Sequence, residues 1–403
     1  MELPDLPGMP GGGNFMEQFL ADLLRMMGSG LGPASAKVDM ARAMAQGVAG
    51  EGQPEGNVDP MDRMAIEELL RVAELHVGEL TGLEDSDLGR LQLSAVGPAA
   101  WAWQSVDDWA FVLDAAADAT AQISGLLPGQ TSLDDDGPPG ISELLARAMS
   151  TMGPVLASMQ LGSAVGHLAR HTVGQYELPV PRPDSQHQRL LIVPANIDRF
   201  AADWSLPQQD ARLWVCLRDT TIHMVFGQPQ VAERFRQLLA SVARTTAEDH
   251  AHHLGALEGF DPSDPESLQR LLGDPESLFG GEPSPQRHRM VETLTAAGIA
   301  LSGYVEHVLD RAASRLLGGR NALAEAWRRR LVERDESTRA AEMLLGLALE
   351  PAQLDQGVAF VNGVVERAGE ASLRRLWSSA TSMPTPAEIS APGLWLERID
   401  LPS

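Results

Sequence analysis

The sequence predicts a mainly α protein with a minor β element near residues 189–194. Three observations lead there. The apolar content is carried by Ala, Leu and Met, while Phe, Trp and Tyr together make up 5% of the chain; that balance suits helices better than sheet. Apolar residues recur at helical spacing, as at Phe15, Phe19, Leu20, Leu23 and Leu24. One short run, Leu190-Leu191-Ile192-Val193 closed by Pro194, has strand character.

Taken in order, residues 1–13 are rich in Pro and Gly and are expected to be disordered. A helical N-terminal region follows over 14–140. It holds amphipathic helices at 15–27 and 36–48, a loop at 50–60 and a long helix at 60–83. Trp101, Trp103 and Trp109 crowd one segment, where core packing outweighs a ligand cavity. Asp134-Asp135-Asp136 lack the spacing and terminal Glu of a calcium loop and read as a solvated turn. From 141 to 403 the chain reads as a second helical region. Its stretch 141–176 carries Gly162 and Gly166, four apart, a smooth face for a close helix neighbour. Ser205-Leu206-Pro207-Gln208 reads as a capping box opening a helix over 206–227. A helix over 231–253 and two Asp-Pro starts at Asp264 and Asp274 come next. The chain closes with a loop at Met383-Pro384-Thr385-Pro386 and an extended tail around Trp395.

Composition narrows the function classes. A formal net charge of −24 opposes a phosphate backbone or an anionic membrane, so neither nucleic acid nor membrane is an expected partner. No apolar run reaches the ~20 residues that span a bilayer. Met1 to Asn14 lacks the charged start and apolar stretch of a signal peptide. Cys216 is the single cysteine, so a Cys-rich zinc site is excluded, and its apolar surroundings suit an inert thiol. A cytoplasmic protein is expected.

The segment Leu213-Trp214-Val215-Cys216-Leu217-Arg218-Asp219-Thr220-Thr221-Ile222-His223 resembles the zinc-motif region of a family of bacterial zincin-like metallopeptidases. In that family a Leu-Trp-Val lead-in runs into His-Glu-x-x-His. Further blocks are similar, among them Gly162 to Leu168, Gly174 to Pro179, Val193 to Ile197 and Ser302 to Val308, the last falling where the family carries a third ligand, a Glu before Gly. The blocks Gln356 to Val361 and Pro384 to Ile389 also fit. The resemblance implies a zincin-like helical body over 141–403, with the motif on the helix 206–227.

It also implies a site. Two histidines four apart would hold zinc, and the intervening Glu would act as general base for a zinc-bound water. Carried over position by position, the first histidine is Arg218, the glutamate Asp219, the second histidine Ile222, and the third ligand Ser302. Arg218 is a permanent cation without a lone pair to offer. Ile222 has no donor atom, and a neutral Ser302 hydroxyl is a poor zinc ligand. The family's zinc is therefore expected to be absent here.

The sequence offers other candidate ligand sets. Asp219 and His223 share a helix face, but that face is turned by one residue from the inherited one, about 100°. Asp249, His250, His252 and His253 form a second polar cluster, and His167 and His171 a third. Glu306 and Asp310 lie near Ser302 and could act as acids. No Gly-rich phosphate loop and no Gly-x-Ser-x-Gly elbow occurs. The expected function is a catalytically inactive homologue acting as a binding or regulatory scaffold, with a protein or peptide as partner. The alternatives are a zinc hydrolase using replacement ligands and an assembly protein working through exposed helices.

Overall fold

The computed structural model describes residues 34–51, 55–83, 91–126, 155, 157–183, 189–255, 283–334 and 336–400. The stretch 1–33, with its amphipathic segment 15–27, lies outside the described residues. So do Asp134-Asp135-Asp136 and the Asp-Pro starts at 264 and 274.

The described chain is helical apart from one small sheet, as its composition led us to expect. We name the helices α1 (Ala34–Ala49), α2 (Pro60–Thr81), α3 (Pro98–Leu126), α4 (157–169), α5 (Pro194–Asp203), α6 (Gln208–Phe226) and α7 (Pro229–Gly255). They continue as α8 (Pro285–Leu316), α9 (Arg320–Val332), α10 (Glu336–Leu345), α11 (Pro351–Ala368), α12 (Pro386–Ile389) and α13 (Pro392–Asp400), with a 3-10 helix at Glu370–Trp377.

Local chemistry explains the boundaries. On α2, Asp59 accepts from the Met61 N–H at 2.8 Å and Pro60 opens the first turn; Gly82, at φ 58°, closes the helix in the left-handed conformation. The buried stripe Ile66, Leu70, Ala73, Val77 and Thr81 follows the helical period. Strand β1 (Gln92–Ala95) pairs in parallel with β2 (Arg189–Ile192), from Gln92 opposite Arg189 to Ala95 opposite Ile192. Sequence pattern gives β2 but not β1, because Gln92-Leu93-Ser94-Ala95 carries too little apolar content to stand out.

Two expectations need correction. Ser205 does not cap α6: its backbone is left-handed at φ 52°, closing the turn after α5, and the helix starts at Gln208 after Pro207 without a side-chain cap. The tail is not extended. Trp395 sits on α13, fully buried, its ring 5.8 Å from Phe360 and its indole N–H donating to the Ser382 carbonyl. The buried indole seats this nine-residue helix on the body, and Arg398, bonded to Glu388 and the Met383 carbonyl, and Arg375, bonded to the Ile399 carbonyl, tie it there.

A continuous hydrophobic core runs from Ala41 on α1 to Trp395 on α13. Within it α3 lies along α7, α2 along α6, and α8 along α11. The glycine face foreseen on α4 is used by α1: a Cβ on Gly162 would fall 2.5 Å from the Ala41 carbonyl oxygen, and one on Gly166 2.6 Å from Val48 Cβ. A tighter crossing joins α8 to α11, where a Cβ on Gly303 would meet the Gly357 carbonyl oxygen at 2.1 Å. No described helix is long and apolar enough to cross a membrane.

Candidate functional site

Helix α6 lies in the middle of the molecule, and almost every residue from Ala211 to Phe226 is buried. It is fixed from outside by Arg212, whose guanidinium grips Asp198 on α5 through two hydrogen bonds, 2.8 and 2.6 Å, and Asp62 on α2 through a third at 2.7 Å. Cys216 is buried within it, and burial pushes its thiol well above the usual range, as befits an inert group.

The segment 170–183 passes alongside α6 and is itself pinned. Trp101 donates its indole N–H to the Gly174 carbonyl at 2.9 Å, and Asn196 donates to the carbonyls of Ala169 and Thr172 at 3.0 and 2.7 Å. Trp101 and Trp109 are thus core groups, edge to face at 6.3 Å, while Trp103 is partly exposed under Arg42. Behind the segment, Arg182 and Asp108 form a fully buried ion pair at 3.1 Å, joined by Gln175. Burial raises the Asp108 carboxyl to about 6, although Arg182 pulls the other way.

Tyr176 ties this segment to the motif positions. Its N–H donates to Asp219 Oδ2 at 3.1 Å, its carbonyl accepts from Arg218 Nη2 at 2.8 Å, and its hydroxyl lies 3.0 Å from His223 Nδ1. Arg218 in turn donates from Nη1 to Asp219 Oδ1 at 2.6 Å and rests over the Trp327 ring of α9 at 5.0 Å. Burial raises the pKa of Asp219, against the pull of Arg218. Asp219 is packed so closely that a Cβ on Gly174 would lie 2.2 Å from its Oδ2.

Arg218, Ile222 and Ser302 line one cleft of about 150 Å³ between α6, α8, α9, α10 and α11, and Glu306 stands at its rim, paired with Arg328 at 2.9 Å. Asp219 and His223 are not on its wall; both turn toward Tyr176 and are fully buried. Glu177 reaches the cleft beside them. Burial works to raise its pKa, but Arg330, 2.9 Å away, together with Arg218 and Arg334, holds it below the usual carboxylate range.

The donor set does not fit zinc. A guanidinium already committed to a carboxylate, a carbonyl and an indole, an alkyl group and a hydroxyl face the cleft where three ligands would stand. Among the described residues, no three His, Cys, Asp or Glu side chains converge as a ligand set. Of the other polar clusters, Asp249 accepts from the Ser284 N–H at 3.0 Å, and the side chains of His250, His252 and His253 lie outside the described residues. His171 falls beyond the end of α4 and is exposed, so it does not share a helix face with His167. Asp310 pairs with Arg320 at 3.1 Å.

Sequence reasoning missed Tyr176 and Trp327, which hold Arg218 through a backbone carbonyl and an indole ring. The block Gly174 to Pro179 was visible as part of a resemblance, but nothing in it announced that the Tyr176 backbone would meet the motif helix. Trp327 had no signal beyond its own presence in a charged helix.

A solved structure shares this architecture: a proposed hydrolase with a novel fold from Chloroflexus aurantiacus, 21% identical, matched over 91% of this chain and 99% of that one with a TM-score of 0.58. At that identity the likeness is one of fold. No curated protein matches. The model of the zincin-like metallopeptidase family matches residues 37–396, from within α1 to within α13, and takes in the whole of the Arg218–Tyr176 site. The chain therefore belongs to the zincin-like metallopeptidase family.

Proposed function

We propose that this chain is a catalytically inactive member of its family, in which a fixed ion pair stands where the metal chemistry would be and the cleft serves as a binding or regulatory surface for a protein or peptide. The observation that carries this reading is the Arg218–Asp219 pair. The residue at the first ligand position bonds the residue at the general-base position at 2.6 Å, and both are held by Tyr176. A fully buried carboxylate held by a guanidinium and a backbone N–H, and turned from the cleft, is not placed to act as general base there. Ile222 and Ser302, facing the same cleft, add no donor set. A reducing cytoplasm is the proposed setting, in keeping with the single buried thiol of Cys216.

Metal analysis of the protein purified without added zinc or chelator tests the reading. The expected result is well under one equivalent of zinc, with no peptidase activity that a chelator removes. Stoichiometric zinc would overturn it and favour a metal-dependent hydrolase with replacement ligands, for which the family membership and the proposed hydrolase of similar fold would then be the guides.

A further inference from the structure

We infer that the cleft is a subsite for one bulky, uncharged side chain of a bound peptide, and that Gly298 on α8 is the residue that makes room for it. The inference rests on the inactive, peptide-binding reading above and names what that cleft selects.

Charge argues first. The four arginines on the cleft wall are each matched by a carboxylate of this chain: Arg218 by Asp219 at 2.6 Å, Arg320 by Asp310 at 3.1 Å, Arg328 by Glu306 at 2.9 Å, and Arg334 by Glu342. Glu177 is matched by Arg330. Asp355, exposed at the mouth, is the remaining acid on the wall. Within the cleft the guanidiniums of Arg218 and Arg334 are held by buried carboxylates, so a peptide carboxylate would have to displace Asp219 or Glu342 there, while the Arg320 and Arg328 pairs are exposed and stand at the rim. What the interior offers is apolar, from Trp214, Ile222, Leu301, Val305, Trp327 and Leu331. The space, about 150 Å³, is of the size that admits a benzene-sized group.

Gly298 then supplies the shape. Glycine is disfavoured within a helix, and α8 is 32 residues long with Gly298 near its middle. The other glycine on this helix, Gly303, is required by the close crossing with Gly357. Gly298 has no such neighbour. A Cβ there would meet only the Leu349 methyl groups at 3.7 and 3.8 Å, ordinary contact distances, and Leu349 itself lines the cleft. Neither backbone conformation nor packing calls for glycine at this position, and its missing side chain leaves cleft volume open. Ser302, one turn further on the same wall, is likewise small.

Trp214 and Trp327 on the wall give an intrinsic fluorescence signal for occupancy. The full-length protein, its zinc content measured on the same sample, would be titrated with the blocked tripeptides acetyl-Ala-Phe-Ala-amide, acetyl-Ala-Ala-Ala-amide and acetyl-Ala-Glu-Ala-amide, and with acetyl-Ala-Phe-Ala carrying a free carboxylate. The Phe peptide should bind about tenfold or more tighter than the Ala and Glu peptides, the free carboxylate adding nothing. Gly298→Leu should abolish the Phe preference and Gly298→Ala should reduce it, both with a melting temperature at or above wild type. The inference is overturned if no peptide binds up to millimolar concentration, if the Glu peptide or the free carboxylate is preferred, or if a folded Gly298→Leu keeps the Phe preference. Zinc content is read separately, so failure of the subsite and failure of the inactive-enzyme reading leave different records.

Discussion

Arg218 has the side chain that changes most in meaning between sequence and structure. As a sequence symbol it is a cation in place of a ligand; in three dimensions it is the counter-charge for a carboxylate with no access to solvent. Asp219 is fully buried and Arg218 is 12% exposed at its side chain, so Coulomb attraction acts here with little screening. Removing one partner of a buried pair leaves an uncompensated charge, which costs about 3–5 kcal/mol. Arg218→Ala should lose stability of that order in urea denaturation, whereas Arg218→Ala combined with Asp219→Asn should recover a large part of it. The deficit should also depend on pH. Burial already raises the Asp219 carboxyl above its ordinary value, and loss of Arg218 would raise it further. A carboxyl that holds its proton more tightly when folded stabilises the fold at low pH, and that stability is lost as pH rises toward the folded pKa. Arg218→Ala should therefore be closest to wild type in acid and fall behind as the pH is raised. A deficit that is flat with pH would show that Arg218 acts through its stacking on Trp327 and not through charge.

At the scale of elements, the molecule is organised by a few close approaches and one buried polar tie. The Gly303–Gly357 crossing brings the α8 backbone against α11, directly beside the Ser302 wall of the cleft. A methyl group at 303 would sit 2.1 Å from a backbone oxygen, which cannot swing aside as a side chain could, so the helices must separate. Overpacking of this kind costs ~1–3 kcal/mol or more. Gly303→Ala should be destabilised by at least that much, unlike Gly298→Ala one and a half turns earlier. The second feature is the Asp108–Arg182–Gln175 network joining α3 to the segment that carries Tyr176. With its carboxyl raised from 3.8 to about 6, Asp108 holds its proton more firmly in the folded chain than in the unfolded one. Its contribution is fully present below about pH 4 and is lost as pH rises through 6, an amount of ~3 kcal/mol by linkage. Asp108→Asn, compared with wild type by urea denaturation across pH 4 to 7, should be less stable because Arg182 loses its buried counter-charge, yet lack this slope; an unchanged slope would place the titration elsewhere. How legible these elements were followed from their physics. The Gly162–Gly166 face could be read because two glycines four apart have one geometric use. The cap at Ser205 misled because a residue type that favours caps also suits the left-handed turn that closes the preceding helix. The helix at Trp395 was hidden because its folding depends on burial against Phe360, a contact far away in the chain.

For the whole molecule, the family match over residues 37–396 and the continuous core show that the scaffold is kept with Arg218, Ile222 and Ser302 on the cleft wall. Two of these side chains are built into the interior behind the wall, Arg218 through its pair with Asp219 and Ile222 through its place in the core. The residue identities at those positions were readable in the sequence; their arrangement was not, because whether Asp219 faces the cleft or the core is decided by the segment 174–177 packing from forty residues upstream. This difference shapes the test of the inherited geometry. Arg218, Ile222 and Ser302 share the cleft wall, so Arg218→His, Ile222→His and Ser302→Glu together should give the chain a zinc affinity that the parent lacks, seen as a metal-dependent rise in melting temperature. Asp219 behaves differently. It is clamped by the Tyr176 N–H and presses on Gly174, so Asp219→Glu adds a methylene to a filled space and should cost about 1–3 kcal/mol with no gain in zinc affinity. The threefold variant is therefore expected to be the more stable zinc binder and the fourfold variant the weaker fold. Neither is expected to be an active peptidase while position 219 points at Tyr176. If the threefold variant stays folded and takes up no zinc, Ser302 is not opposite the motif helix in the sense the family pattern requires. If the fourfold variant folds as well as the threefold one and hydrolyses peptides, position 219 can reach the cleft, and the buried pair with Arg218 is the feature that keeps it away.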